Sequence, residues 1–219
     1  MASRPKQGEP RPAPRLYLVT PEISDAASFV AALTAALTGA DVAAVLLRLA
    51  PSDEGTLIRR IKAIAPAVQE KGAALILDRL PALIARSRAD GAHIEGFAAF
   101  PDAVETLKPD WIVGVGGIAS RHEAMLAAEQ GADYVMFGTP DAHGQRPSFA
   151  AIEERVAWWA EVFEVPCVAY AASPEEIAPF AAAGADFVAI GDWLWRDEGE
   201  IAPMLARATQ ALRLPETAA

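Results

Sequence analysis

The chain has 219 residues, a formal net charge of −10, 53% hydrophobic and 22% charged residues. This composition suits one compact α/β domain with a full core, and an acidic surface without a Lys/Arg cluster argues against nucleic acid as a partner. No apolar run approaches the roughly 20 residues of a membrane span, the N-terminus lacks a secretion-signal core, and Cys167 stands alone, so no membrane association and a cytoplasmic location are expected.

Residues 1–14 hold four prolines and scattered charge, which predicts a disordered tail. From residue 15 one phrase recurs: a glycine, a small residue, then a strand, at 39–47 (GADVAAVLL), 91–96 (GAHIEG), 130–138 (QGADYVMFG) and 184–191 (GADFVAIG). Each interval holds one further apolar run, at 73–77, 111–115 and 167–170, and a strand at 15–20 leads. Eight strands, each followed by a segment long enough for a crossover helix, predict a single (β/α)8 TIM barrel over residues 15–213, with 214–219 frayed. The phrase glycines are expected in the left-handed conformation as helix stops, and Asp41, Asp133 and Asp186 as structural groups at the barrel floor.

In chain order, strand one ends at Pro21 and Ser24 caps the first helix. Strand two ends at Arg48, and Ser52 or Asp53 caps a helix to about residue 70. Strand three runs into Asp78 and Arg79, and a helix over 81–88 precedes a short strand at 92–94. Pro101 opens the fourth helix, and strand five gives way to Gly116 and Gly117 before Ser120 caps the fifth. Strand six ends at Phe137. The polar loop 138–147 then leads to a helix carrying Trp158 and Trp159, which cannot both face inward, so one is expected against another loop or a second subunit of a homodimer. Ser173 caps the seventh helix, strand eight ends at Gly191, and Pro203 is a candidate kink in the last helix, 197–212.

In such a barrel the chemistry belongs to the loops at the carboxyl ends of the strands. Those positions are Thr20, Arg48, Asp78 with Arg79, Glu95, Gly116, Gly117, Thr139 to Arg146, Tyr170 and Asp192. The carboxylates and guanidiniums gathered there suit a polar ligand, a divalent cation on oxygen ligands, or a self-neutralising set of ion pairs. Of the histidines, His93 reads as a core or lining residue, His122 as solvated, and His143 as the one placed for acid–base work.

At these strand ends the chain resembles the thiamine phosphate synthase family, including its thiazole tautomerase relatives. The carriers are LYLVT at 16–20, LILDR at 75–79, DGAHIEG at 90–96, EAMLAAEQGADYVMFG at 123–138 and AGADFVAI at 183–190. The resemblance implies a magnesium-dependent barrel that joins a hydroxymethylpyrimidine pyrophosphate to a thiazole phosphate, with pyrophosphate leaving. It implies Arg48 and Arg146 as catalytic groups on the pyrophosphate, and Asp78 with Glu95 as metal carboxylates. Gly116, Gly117, Thr139, His143, Tyr170 and Asp192 are the further substrate-binding candidates.

The chain also departs from the family pattern. A Gln-Leu-Arg-x-Lys run is replaced by Leu46 to Ala50, keeping only the arginine, and an Asn-Asp pair by Leu77 and Asp78. The second metal carboxylate aligns near Ala98, leaving Glu95 as a substitute. The lysine of the sixth loop aligns with Arg146 and the tautomerase histidine with Thr139. A Gly-Gly turn becomes Ala171 and Ala172, and the serine after strand eight becomes Asp192, which repels a phosphate. Beside the synthase reading stand a non-catalytic ligand-binding or regulatory barrel and a changed reaction on a cationic or amine-bearing molecule.

Overall fold

The structure, a computed structural model, describes residues 12–141 and 143–213. The predicted tail up to residue 11 and the end at 214–219 lie outside the described residues. Eight parallel strands close in sequence order: β1 (Arg15–Ile23), β2 (Val42–Leu49), β3 (Ala74–Asp78), β4 (Gly91–Glu95), β5 (Ile112–Gly116), β6 (Tyr134–Phe137), β7 (Cys167–Ala171) and β8 (Phe187–Ile190). The helices are α1 (Ala26–Gly39), α2 (Glu54–Gln69), α3 (Ile84–Ser87), α4 (Phe100–Leu107), α5 (Arg121–Glu129), α6 (Phe149–Val162), α7 (Ile177–Ala182) and α8 (Ile201–Leu212).

Two apolar clusters follow from strand alternation. Leu16 and Leu18 of β1 belong to the large cluster between strands and helices, while Tyr17 and Val19 join Leu46, Ile76, Met136 and Val168 inside the barrel. Both faces of the sheet are therefore dry, which is why the strands read as near-continuous apolar runs.

Several local expectations change. β1 continues past Pro21 to Ile23 through a register shift between Val19 and Glu22, so the missing proline N–H falls in a bulge and Glu22 comes level with Arg48. Asp25, rather than Ser24, caps α1 by accepting the Ala27 N–H at 3.0 Å. Asp53 is the cap of α2 and Ser120 that of α5, while Ser173 makes no capping bond. Pro203 lies in the first turn of α8, where no helical hydrogen bond is lost. Gly131 and Gly184 are left-handed as expected, at φ 97° and 94°, but Gly39 closes α1 without a positive φ and Gly91 is a strand residue.

The aspartates at the floor are structural. Asp90 accepts the Leu75 N–H, Asp133 the Val113 N–H and Asp186 the Cys167 N–H, at 2.7, 2.7 and 2.8 Å, each tying the start of an even strand to the odd strand before it. Asp41 instead holds the Arg15 guanidinium at 2.7 Å. Asp133 also pairs with Lys108 in a largely buried position. Asp133→Ala orphans a buried N–H and an ammonium, and is expected to cost about 2 kcal/mol in urea unfolding. Asp41→Ala, which breaks an exposed pair, is expected to cost less than about 1 kcal/mol.

The paired tryptophans find their partners within the chain. Trp159 is fully buried and donates to the Val165 carbonyl at 2.7 Å. Trp158 packs edge-on against Phe163 and lies under the Arg121 guanidinium at 4.7 Å, so a neighbouring helix covers it.

Candidate active site

A cavity of about 820 Å³ opens at the carboxyl ends of the strands, and Arg48, Asp78, Glu95, Thr139, Tyr170 and Asp192 all line it. β2 delivers Arg48, whose orientation is set by Thr20 at the end of β1. The Arg48 N–H bonds the Thr20 hydroxyl at 3.0 Å, and Nε donates to the Thr20 carbonyl at 2.6 Å. The remaining face of the guanidinium meets the Asp192 carboxylate. Glu22, brought up by the unexpected extension of β1, also faces the cavity.

Asp78 ends β3 with its side chain mostly buried, and burial raises its carboxyl above the usual range, against the opposing pull of Arg79. Arg79 adopts φ 57° and donates its N–H to the His93 carbonyl at 2.9 Å. Its guanidinium lies between two carboxylates, 3.8 Å from Asp78 and 3.5 Å from Glu95. Of the three uses open to this ring of charge, the self-neutralising one is visible directly: Arg48 with Asp192, and Arg79 with Asp78 and Glu95.

Gly116 and Gly117 do not line the cavity, yet they make it possible. A Cβ on Gly116 would stand 2.6 Å from His93 Nε2, and one on Gly117, which is also at φ 62°, would stand 2.3 Å from Glu95 Oε1. Their missing side chains are the room in which His93 and Glu95 sit. Beneath the mouth, His93 Nδ1 bonds the Tyr134 hydroxyl at 3.0 Å, and that hydroxyl bonds the Tyr17 hydroxyl at 2.8 Å. His93 Nε2 has no partner.

Burial holds the His93 imidazole at about 3, helped by the nearby Arg79 charge. The ring is therefore expected to stay neutral in NMR titrations from about pH 4.5 to 8. Between pH 6.5 and 3 the unfolded chain binds a proton that the folded chain does not, so this site alone lowers stability by about 1.4 kcal/mol for each pH unit of acidification. Asp78, with a raised folded value, has the opposite sign and offsets part of the loss at low pH. His93→Gln is expected to flatten the slope measured between pH 6.5 and 5, and an unchanged slope would refute the assignment.

Two further candidates stand elsewhere. His143 is exposed on the loop after β6 and does not line the cavity. That loop is closed on itself by Asp141, which accepts the His143 and Gln145 N–H groups at 2.8 Å each. Arg146 is turned away from the lining toward Glu176, donating to both carboxylate oxygens at 3.2 and 3.0 Å, with both side chains largely buried. Glu176 accepts the Ala172 N–H as well, at 2.8 Å. Thr139 is at the wall of the cavity, as expected.

Glu176 and Glu22 were missed from sequence. The signal for Glu176 was the Ser-Pro-Glu-Glu run 173–176, whose spacing is that of a capping box and marks a carboxylate reaching back to a backbone N–H. Glu22 was hidden by the proline before it.

Among the described residues no group of three or more His, Cys, Asp or Glu is disposed to hold a metal. Two carboxylates, Asp78 and Glu95, line the cavity with the Arg79 guanidinium between them.

The family described as thiamine monophosphate synthase matches residues 16–193. A thiamine-phosphate synthase of Rhodospirillum centenum is 40% identical over 91% of this chain and 98% of its own length. One of Hyphomonas neptunium is 36% identical over 87% of this chain and 90% of its own. The fold superposes on a thiamine phosphate pyrophosphorylase of Pyrococcus furiosus with a TM-score of 0.74, at 20% identity, over 91% of this chain and 96% of that one.

Proposed function

We propose a function from one premise: the chain belongs to the thiamine monophosphate synthase family. Its barrel mouth couples a hydroxymethylpyrimidine pyrophosphate to a thiazole phosphate. The bond from the pyrimidine methylene to the pyrophosphate oxygen breaks, its electron pair leaves with the pyrophosphate, and the thiazole ring nitrogen donates its lone pair to the same carbon. No proton has to move, so the reaction needs charge stabilisation rather than a general base.

The observation that carries this reading is the cavity itself, in which Arg48 and Arg79 stand beside Asp78 and Glu95 at the strand ends. Arg48, braced by Thr20, binds the departing pyrophosphate with the two donors of its fork once Asp192 yields. Arg79 supplies a second cation. Asp78 and Glu95 would hold magnesium, which when bound neutralises pyrophosphate charge. Arg146, engaged by Glu176, is better suited to shaping the β7 side than to catalysis. Among the described residues no helix is long and apolar enough to cross a membrane, and a lone buried thiol at Cys167 fits reaction in the cytoplasm.

Incubating the purified chain with the pyrimidine pyrophosphate, the thiazole phosphate and magnesium is expected to yield thiamine phosphate and pyrophosphate. Absence of product at high enzyme concentration removes the proposal. One observation favours a second reading as a ligand-binding barrel: Arg48, Arg79 and Arg146 are each already paired with a carboxylate of the chain. Under that reading a thiamine-related ligand raises the melting temperature without turnover.

A further inference from the structure

We propose that His93 is a substrate-binding residue, which presents an N–H donor at Nε2 to a ring nitrogen of the pyrimidine and so selects the heterocycle of the first substrate. Resting on the synthase reading, this adds a specificity-determining residue to that same site.

Buried polar atoms are hydrogen-bonded with few exceptions, and an exception in a cavity wall calls for an explanation. His93 is 1% exposed and lines the cavity, yet its Nε2 has no partner among the described residues. β5 makes the space around it. Ile112 packs inside the barrel, and Gly114 and Gly116 follow it on the same face. A Cβ on Gly114 would overlap the Tyr134 ring, and one on Gly116 would stand 2.6 Å from His93 Nε2. The Tyr17 hydroxyl bonds that of Tyr134 at 2.8 Å, and the latter bonds His93 Nδ1 at 3.0 Å. Both hydroxyl protons find an acceptor within this row in one arrangement: Tyr17 donates to Tyr134, and Tyr134 donates to Nδ1. Nδ1 is then the acceptor, and the proton of the neutral ring is on Nε2. The unpartnered nitrogen is therefore a donor, and a pyrimidine ring nitrogen is an acceptor.

Depth in the barrel points the same way. Residues two apart on a strand share a face, one layer above the other. His93 is one layer below Glu95 on β4, and Leu46 one layer below Arg48 on β2. Val19, Leu46 and Tyr170 line the cavity and belong to the apolar cluster inside the barrel. The floor beside His93 is thus apolar, while the rim above it carries Arg48, Arg79 and the carboxylates. An uncharged heterocycle suits the floor, with its pyrophosphate on the arginines of the rim and its methylene spanning the step between them. A ring that offers no acceptor at this depth would leave the His93 donor buried and unpaired, which is the physical source of the selection.

The test is calorimetric titration of the full chain, without the thiazole phosphate, using the pyrimidine pyrophosphate and its two pyridine analogues, each with one ring nitrogen replaced by C–H. One analogue is expected to bind the native chain at least about tenfold more weakly than the pyrimidine, the effect of one lost hydrogen bond to a buried donor. His93→Leu is expected to weaken the pyrimidine about tenfold and to bring its affinity level with that analogue, because the donor that told them apart is gone. A histidine with a structural role alone would weaken both ligands and keep their ratio. His93→Gln, which keeps an N–H donor near the Nε2 position, is expected to restore part of the discrimination. Gly116→Ala, whose Cβ displaces Nε2, gives the readout of the leucine variant should that variant fail to fold, as checked by thermal unfolding. The inference is overturned when the native chain binds the pyrimidine and both analogues equally, when none of the three binds, or when the ratio survives in both the His93→Leu and Gly116→Ala proteins. A coupling assay on the native chain separates this outcome from that of the synthase reading. Thiamine phosphate formed without discrimination through His93 overturns the inference while the synthase reading stands. Discrimination that is lost with His93, but with no product from the native chain, upholds the pyrimidine contact and removes the synthase reading instead.

Discussion

Replacing Gly91 by alanine is expected to lower the melting temperature by about 6 to 12 °C, the equivalent of roughly 3 kcal/mol in a chain of this size. A Cβ at this position would stand 2.2 Å from the Ile112 carbonyl oxygen and 2.6 Å from the Ile112 Cβ. Gly91 and Ile112 are register partners in β4 and β5, so the obstacle is strand backbone and not the movable tip of a side chain. Relief requires the two strands to part. That would also disturb the pairs above, His93 with Gly114 and Glu95 with Gly116, and with them the upper edge of the cavity. Gly39→Ala is the matched control. It lies at the end of α1 with nothing within 4 Å and no positive φ, so alanine there is expected to be neutral or stabilising by up to about 1 kcal/mol. A melting temperature of the Gly91 variant within about 2 °C of the native chain would show that β4 and β5 are not packed as described.

The contrast between these two glycines shows what the repeated phrase could and could not convey. The repeat made the architecture legible, because a helix stop followed by a strand, four times over, leaves few alternatives to a closed parallel barrel. It did not reveal why each glycine is glycine. Gly131 and Gly184 answer to backbone conformation, Gly91 to the approach of a neighbouring strand, and Gly39 to neither. Those causes lie in the packing of one strand on the next, which periodicity does not encode.

The site was legible in the same partial way. Architecture alone places Arg48, Asp78, Glu95, Thr139, Tyr170 and Asp192 at strand ends, and all six line one cavity. What the sequence could not supply is how the charges pair across the mouth. Arg48 and Asp192 are 144 residues apart in sequence, and Arg146 and Glu176 are 30 apart. Such partners are settled by side-chain reach around the barrel. The same limit explains Gly116 and Gly117, expected beside the ligand and found making room for His93 and Glu95.

Arg48→Ala is expected to reduce kcat/KM for coupling by about 10²- to 10³-fold, the usual effect of deleting one positioned donor from a developing anion. Arg48 is the mouth cation with the firmest support, because the Thr20 carbonyl and hydroxyl fix its Nε and backbone before any ligand arrives. Stability should hardly change: the Asp192 side chain is 63% exposed, so removing its partner leaves a solvated carboxylate and costs no more than about 1 kcal/mol. Two further variants separate charge from geometry. Arg48→Lys keeps the charge but loses the fork and the Nε anchor, so only part of the rate should return. Asp192→Asn removes the competitor for the guanidinium, and is expected to tighten binding of inorganic pyrophosphate by about tenfold at unchanged melting temperature, since one opposing charge at the cavity wall is worth on the order of 1 kcal/mol or more. Titration calorimetry with pyrophosphate reads these effects without requiring turnover. Equal pyrophosphate affinity in the native, Arg48→Ala and Asp192→Asn proteins would mean that this ion pair never opens to a ligand, and that the leaving group is held by Arg79 alone.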